Sequence, residues 1–448
     1  MTPTHLFVVV LLVPLAGAAF ALVLPPDDRL TLRAVGVVTG VVALAAGVVL
    51  TVEGGATLSV PGTPVVLSWS GVAVPAALTV LAATPMALRA GAPRVPSGLS
   101  AYVVAVLGTA ALSVLAIVLP DPRAALAAAT VAAVPPFALV ALFGGPERGS
   151  VSYRAAGLWI LADVTALAGL VLLPSWSGPV LVIAALGPGL VRLAAGPWGL
   201  WALPVVEQAP VSAACLVPGA VAPVGATLLL RIAAVPGVDV GGVLLPVAAV
   251  MALAGAGGAS LVVAERDLRR LVAHLVGVLG AFAAVGLLAG ATRPALSLVV
   301  LTGFAAPFAL MVVEAIERRL ETRRVHELAG LFAGAPLLGC LLPLALLSLV
   351  GLPWLGTGGA AWSLIAALAA VDVAVAAVGG VFGLALLVVA TDVVVVVGRA
   401  ALPSRRRRVD LRVSFLQGVR LLVPLVALVV ASGLVERIVA AAVAGPSR

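Results

Sequence analysis

The chain has 448 residues, of which 63% are apolar and only 10% are charged. Its mean hydropathy of +1.26 lies far above the range of a soluble domain. A bilayer core requires about 20 apolar residues per helix, and the sequence supplies many such runs, so these values exclude a soluble domain and indicate a polytopic helical membrane protein.

Apolar runs bounded by charged residues, proline or glycine predict an all-α protein of about fourteen transmembrane helices in a single domain, 1–448. The predicted spans are 5–24, 31–52, 71–89, 100–119, 124–143, 154–173, 178–201, 211–234, 241–264, 268–290, 295–316, 336–352 with a broken continuation at 361–373, 375–398 and 414–433. The first run has no positively charged residues ahead of it, so we expect a retained helix and not a signal peptide.

The basic residues other than three histidines are all arginine, and most of them fall in the loops after odd-numbered spans. The positive-inside rule then predicts that these loops face the cytoplasm, with both termini outside, in the cytoplasmic (inner) membrane of a prokaryote. The arginine run at 405–408 could suggest nucleic-acid or lipid binding. We favour an anchor at anionic headgroups, so the expected partner is the lipid bilayer and not a nucleic acid.

The stretch 187–231 combines a buried charge with repeated helix breakers. Arg192 lies deep in an apolar run, and the prolines that follow it are Pro197, Pro204, Pro210, Pro218 and Pro223. Proline removes a backbone donor and clashes with the preceding turn, which predicts a broken or kinked helix pair. A charge beside a broken helix is the default signal of a functional site in a membrane protein.

This stretch fits a pattern of the form K-x-G-x-F-P-L-H-x-W-L-P-D-A-x-E-x-A-P-x-P-V-S-A, with small gaps. The matching residues are Arg192 at the lysine, Pro197, Trp201, Leu203, Pro204, Glu207, Ala209 and the run 210–213, while Gly199 stands at the histidine. The pattern resembles that of the antiporter-like membrane subunits of respiratory complex I, energy-converting hydrogenases and Mrp-type cation/proton antiporters. The resemblance implies two broken helices within two five-helix repeats of opposite orientation.

The resemblance continues downstream. Residues 266–274 are similar to the family's D-L-K-R-L-L-A-Y, with Arg269 at the lysine and His274 at the tyrosine. Residues 326–331 are similar to D-E-L-G-G-L, and 351–353 match the G-L-P that introduces the second broken helix. We therefore divide the domain into N-terminal helices (1–147), an antiporter-like core (150–400) and a C-terminal helix (401–448).

Family members move protons or sodium ions along buried Glu, Lys and His residues, and the resemblance locates the corresponding positions. The glutamate of the fifth span falls near Thr130 or Val131, and the residue after the second G-L-P falls near Ala361. The His and Lys of the eleventh span fall at Leu301 and Ala305. Nearly every position that should titrate has therefore been replaced.

Six residues remain as candidates for an ion pathway: Asp163, Arg192, Glu207, Arg269, His274 and Asp392. A lone acid in an apolar helix is costly unless it is neutral or paired, so we expect Asp163 to pair with Arg192. Arginine keeps its proton, and such a pair favours a static strut over a surviving relay. For His274 a packing role is favoured over a relay.

The remaining acidic residues have less specific interpretations. Glu207 is expected to cap or tether a loop. Asp392 is expected to snorkel to the cytoplasmic surface near Arg399, and Asp372 to lie at the membrane interface.

The sequence thus predicts a membrane-arm subunit of a complex I-like or hydrogenase-like proton-translocating assembly, with a structural or weakly conducting role. It would be a non-catalytic subunit of an NADH-quinone oxidoreductase-like complex, with other membrane subunits and protons or sodium ions as partners. Cys215 and Cys340 lie in separate apolar segments, and we predict no catalytic residue, cofactor or metal on this chain. The alternatives are a stand-alone secondary transporter with an anion site at Arg192, or an intact cation/proton antiporter.

Overall fold

The computed structural model describes residues 2–25, 28–59, 63, 65–90, 98–172, 178–329, 331–351 and 356–401, with 425, 426, 428, 429, 435, 438 and 439. The first helices within these residues are α1 (Pro3–Val23), α2 (Arg29–Val52), α3 (Ala73–Arg89), α4 (Leu99–Val118), α5 (Pro122–Ala132), α6 (Val134–Phe143) and α7 (Arg148–Leu172). The predicted span 124–143 is therefore two helices. Pro135 and Pro136 stand in the first turn of α6, where their missing backbone donors cause the break after α5.

A short antiparallel hairpin between α2 and α3 is an element that the sequence did not predict. Its strands are β1 (Ala56–Ser59) and β2 (Val66–Trp69), with Ala56 opposite Trp69. Trp69 is fully buried, packs edge-on against Phe7 at a centroid distance of 6.0 Å and donates from Nε1 to Thr51 Oγ1 at 3.1 Å. Strands of four residues are too short to show a clear alternation of apolar and polar side chains.

The central elements contain the predicted break. They are α8 (Pro179–Arg192), a 3₁₀ turn (Gly196–Gly199), α9 (Ala202–Gln208), α10 (Val211–Leu216), a π-helical segment (Val217–Val221) and α11 (Ala222–Ala233). The chain bends by 45° between Pro179–Arg192 and Gly196–Gln208. Pro218 and Pro223 do not interrupt the span Val211–Ala233. Between them the backbone is π-helical, and Ala222 N donates to Val217 O, one residue further back than in an α-helix, so the helix continues although both prolines lack a backbone donor.

The remaining described helices are α12 (Gly241–Ala264), α13 (Leu268–Leu288), α14 (Thr292–Leu320), α15 (Leu331–Gly334), α16 (Pro336–Val350), α17 (Gly358–Ala369) and α18 (Val373–Ala401). The second predicted interruption lies between α16 and α17. Gly351 has a φ of 107° there, and Thr357 Oγ1 donates to Leu349 O at 2.8 Å. Most of the predicted span 414–433 lies outside the described residues.

Ten helical segments in the described residues are long and apolar enough to cross a membrane, where α5 with α6 (Pro122–Phe143) and α10 to α11 (Val211–Ala233) each count as one segment. The bent pair makes an eleventh span. Three shorter apolar helices, α3, α16 and α17, correspond to further predicted spans. The predicted class of an all-α polytopic membrane protein is therefore confirmed. Helices α13 and α14 are largely buried at the centre, whereas α1, α2 and α18 expose apolar faces.

Candidate functional site

The break after α8 has a defined backbone geometry. Ala194 N donates to Val191 O and Ala195 N to Leu190 O, both at 3.0 Å, and Ala194 has a φ of 52°. This pair of bonds is the Schellman arrangement that closes a helix, with alanine at the left-handed position where glycine is usual. The helix thus ends at Arg192, before Pro197, the first of the prolines that predicted the break.

Close contact with neighbouring helices fixes the position of this break. A Cβ on Gly280 of α13 would lie 1.9 Å from Leu193 O, and a Cβ on Gly225 of α11 would lie 2.7 Å from Arg192 Cβ. Both distances are too short for any larger residue, so two glycines let α11 and α13 approach the backbone of the break directly.

The predicted ion pair between Asp163 and Arg192 is present. Arg192 NH1 and NH2 donate to Asp163 Oδ1 and Oδ2, each at 2.6 Å, and both residues are 1% exposed. Arg192 NH1 also lies 3.3 Å from Pro188 O. The fork of two parallel bonds is the strongest arrangement available to this pair and fixes α7 against α8.

Thr130 completes the polar contacts of the pair from α5. Its Oγ1 lies 2.9 Å from both Asp163 Oδ2 and Leu126 O, so its single proton is available to either acceptor. Thr130 is one of the two residues, with Val131, near which the resemblance places the family's buried glutamate. The carboxylate that meets the broken helix is supplied by α7, and the Thr130 hydroxyl contacts it.

An aromatic cluster lies against one side of the pair. The Arg192 guanidinium lies 4.9 Å from the ring centroid of Trp159, which packs edge-on against Phe137 and Trp201 at 4.8 Å each. Trp201 Nε1 donates to Val191 O at 2.9 Å and so ties the connector to α8. A cavity beside these rings measures about 10 Å³, enough for at most one water.

Replacing Thr130 with valine tests its contact with Asp163. We expect a loss of about 1 kcal/mol in the free energy of unfolding, because one hydrogen bond is removed while the Arg192 fork remains. Denaturation with sodium dodecyl sulfate in mixed micelles measures this loss. Thr165→Val is the matched control, since the exposed Thr165 on α7 donates only to Leu161 O of its own helix. An equal loss in both variants would contradict the assignment.

Two other candidates, Glu207 and Arg269, lie in a charged network at the arginine-rich end of the bundle. Arg323 NH2 lies 3.5 Å from Glu207 Oε1 and Arg270 Nε lies 4.0 Å from Glu207 Oε2. Arg269 NH1 donates to Ala209 O at 3.0 Å, and its NH2 lies 2.8 Å from Glu317 Oε2. These contacts hold the end of α9 between the first turn of α13 and the end of α14 with the loop after it, and the tethering role of Glu207 stays a prediction.

Comparison with known proteins identifies the family. The family described as NADH:quinone oxidoreductase/Mrp antiporter, transmembrane, matches residues 164–386. The chain belongs to this family. The matched range begins next to Asp163 and includes the broken helix, its connector and the second interruption.

Solved structures share the fold of this antiporter-like subunit over nearly its whole length. A chain of respiratory complex I from Thermus thermophilus with bound aureothin is 21% identical, with a TM-score of 0.75, covering 98% of this chain and all of that one. A chain of the same complex with bound NADH is 16% identical (TM-score 0.83; 97% and 99% covered). A chain of the membrane-bound sulfane sulfur reductase, an archaeal respiratory membrane complex, is 15% identical (TM-score 0.83; 97% and 96% covered). No curated protein matches the sequence.

The six residues predicted for an ion pathway lie in different parts of this antiporter-like subunit. Asp163 and Arg192 form the enclosed pair, and Glu207 and Arg269 belong to the charged network. His274 Nε2 lies 3.7 Å from Glu265 Oε2 at the edge of that network. Asp392 is half-buried on α18, and the Arg399 side chain towards which it is expected to snorkel lies outside the described side chains.

The sequence reasoning missed two acidic residues. Glu265 contacts both Arg270, at 3.0 Å, and His274. Glu314 lies inside α14, which continues to Leu320, whereas the predicted span ended at 316. The sequence did contain a signal for Glu314, because this acidic residue lies within the predicted apolar span 295–316. The partners of Glu265 come from tertiary packing and left no sequence pattern.

Proposed function

We propose that the chain is a membrane-arm subunit of a complex I-like or membrane-hydrogenase-like respiratory assembly, with weak or absent proton conduction of its own. The family assignment and the fold shared with chains of multi-subunit respiratory complexes support the membrane-arm role. The subunit has no catalytic role in this proposal, and its main work is to hold neighbouring membrane subunits in position.

The enclosed Asp163–Arg192 pair is the observation that carries the proposal. A proton relay needs groups that gain and lose charge, linked by water. Arginine keeps its charge, both carboxylate oxygens of Asp163 accept bonds from it, and the Trp159 ring lies 4.9 Å from the guanidinium. A fixed pair of this kind connects α7, α8 and α5 and supplies no step at which a proton is released.

The arginine distribution supports an orientation with the charged network on the cytoplasmic side of a prokaryotic inner membrane and both termini outside. A stand-alone transporter that binds an anion at Arg192 is less well supported. Its guanidinium fork is already occupied by Asp163, so an anion would have to displace a buried partner.

Proton flux into liposomes tests the proposal directly. The purified chain is reconstituted with a pH-sensitive dye inside the vesicles, and a pH gradient is imposed with and without sodium. We expect dissipation no faster than in protein-free vesicles, because the fixed Asp163–Arg192 pair supplies no step of proton release. Flux that disappears in His274→Gln, or in Asp163→Asn protein that is still folded, would establish an intact antiporter and overturn the proposal.

Purification from native membranes tests the partner role. We expect the chain to be isolated with other membrane subunits of a respiratory complex. Recovery as a monomer that binds acetate or phosphate in calorimetry, and loses that binding in Arg192→Gln, would instead establish the anion transporter.

A further inference from the structure

A polar cavity of about 460 Å³ opens at the arginine-rich end of the bundle, room for about 15 water molecules at roughly 30 Å³ each. Its walls are the loop 143–146, the connector 207–210 and the charged ends of α13 and α14. We call this cavity the vestibule. Its ionisable lining is Glu207, Arg269, Glu314, Glu317, Arg318 and Arg323. Charged walls of both signs around this volume favour water over lipid in the vestibule.

Glu314 is the most enclosed carboxylate of the vestibule. Its side chain is 15% exposed, compared with 34% for Glu317 and 25% for Glu207. Its hydrogen-bonded partner is Arg318, one turn later on α14, whose side chain is 55% exposed. An exposed arginine in an i,i+4 pair is held weakly and can exchange the carboxylate for water, so Glu314 can lose this partner without disturbing the core.

The other groups that face Glu314 come from several elements. Arg269 of α13 attracts its negative charge and Glu317 of α14 repels it. Tyr102 of α4 and Cys215 of α10 interact with it electrostatically from the interior. The Tyr102 hydroxyl lies near Ser212 and donates to Ala87 O at 3.0 Å. Glu314 therefore stands where the vestibule meets the packed interior.

We propose that the vestibule is an aqueous inlet open to the arginine-rich side and that Glu314 binds and releases a proton there. The proton passes from hydronium in the vestibule to a carboxylate oxygen of Glu314, forming an O–H bond and leaving water. Arg318 then turns to solvent, and release is the reverse. This exchange is independent of net transport, so it can hold or fail whether or not protons cross the membrane.

Infrared difference spectroscopy of the full chain in detergent tests the proton site. On acidification we expect a carbonyl band of a protonated carboxylic acid that disappears in Glu314→Gln. The band should shift in Glu314→Asp, which retains a carboxyl group. Glu317→Gln is the matched control, since that residue lines the same vestibule and its removal should leave the band. A band unchanged in Glu314→Gln would overturn the proposal.

Accessibility in oriented vesicles tests the inlet. In a Cys340→Ala background, Glu314→Cys is exposed to a membrane-impermeant cationic thiol reagent from either side. We expect rapid modification only from the side on which the arginine-rich loops lie, and none of Thr302→Cys, which is buried on the same helix. Equal modification from both sides, or none from either, would contradict the inlet, and the flux assay on liposomes would be unaffected by that outcome.

Discussion

Replacing Asp163 with asparagine lowers the free energy of unfolding by about 3–5 kcal/mol, the usual cost of breaking a buried pair from one side. The reason is that Arg192 remains 1% exposed and keeps its charge, so the amide leaves a guanidinium without a counter-ion inside the bundle. Denaturation in mixed micelles measures the loss, and the yield of folded protein after extraction gives a second readout. A midpoint equal to that of the wild type would contradict the buried pair.

Two double variants test whether the unpaired charge of Arg192 causes the loss of stability in Asp163→Asn. Asp163→Leu combined with Arg192→Met replaces both ions with apolar side chains of similar volume and should recover most of the stability. Thr130→Glu combined with Asp163→Ala supplies the carboxylate from α5, within reach of the same guanidinium, and should recover part of it. Failure of both double variants would show that the loss in Asp163→Asn has another origin than an unpaired charge.

The pair links the family fold to the proposed loss of proton conduction. A salt bridge at this place requires a carboxylate near the guanidinium, and α7 supplies it, while Thr130 of α5 contacts the same carboxylate. Residue 130 retains only a hydroxyl, and the acid lies on α7 at Asp163. Arg192, which the resemblance aligns with a lysine of the family, keeps its positive charge permanently. The result joins three helices with a fixed charge pair.

Much of this site could be predicted from the sequence because few charges interrupt the apolar runs. One acid in the span before Arg192 leaves few possible partners, since unpaired charges in a membrane interior are costly. The break was also predictable, although its cause was not. The prolines indicated it, but the chain turns at Ala194, and Pro218 and Pro223 lie in a span that continues through a π-helical segment.

The charged network and the vestibule could not be predicted in the same way. Their contacts join residues far apart in the sequence, as in Glu207 with Arg323, and loops rich in arginine and glutamate allow many pairings. The hairpin was missed for a different reason. Its buried Trp69 depends on Phe7 and Thr51, which α1 and α2 bring to it.

Gly280→Ala is expected to destabilise the protein by about 3 kcal/mol, at the upper end of the cost of overpacking. The added Cβ would lie 1.9 Å from Leu193 O, a backbone atom held by the hydrogen bonds that end α8. Either α13 or the break must then move, and movement of the break displaces Arg192 from Asp163. The same denaturation measurement in mixed micelles gives the size of the effect.

Gly277→Ala is the matched control, because it lies one turn earlier on α13 and its Cβ would meet Ala194 O at an ordinary 3.7 Å. Replacing glycine with alanine inside a helix raises the free energy of unfolding by up to about 1 kcal/mol, so this variant should be as stable as the wild type or slightly more stable. The difference between the two alanine variants therefore isolates the contact with the break from the general effect of alanine in α13. Equal stability of both would mean that the end of α8 is free to shift, and the Asp163–Arg192 pair would then be adjustable and not a fixed strut.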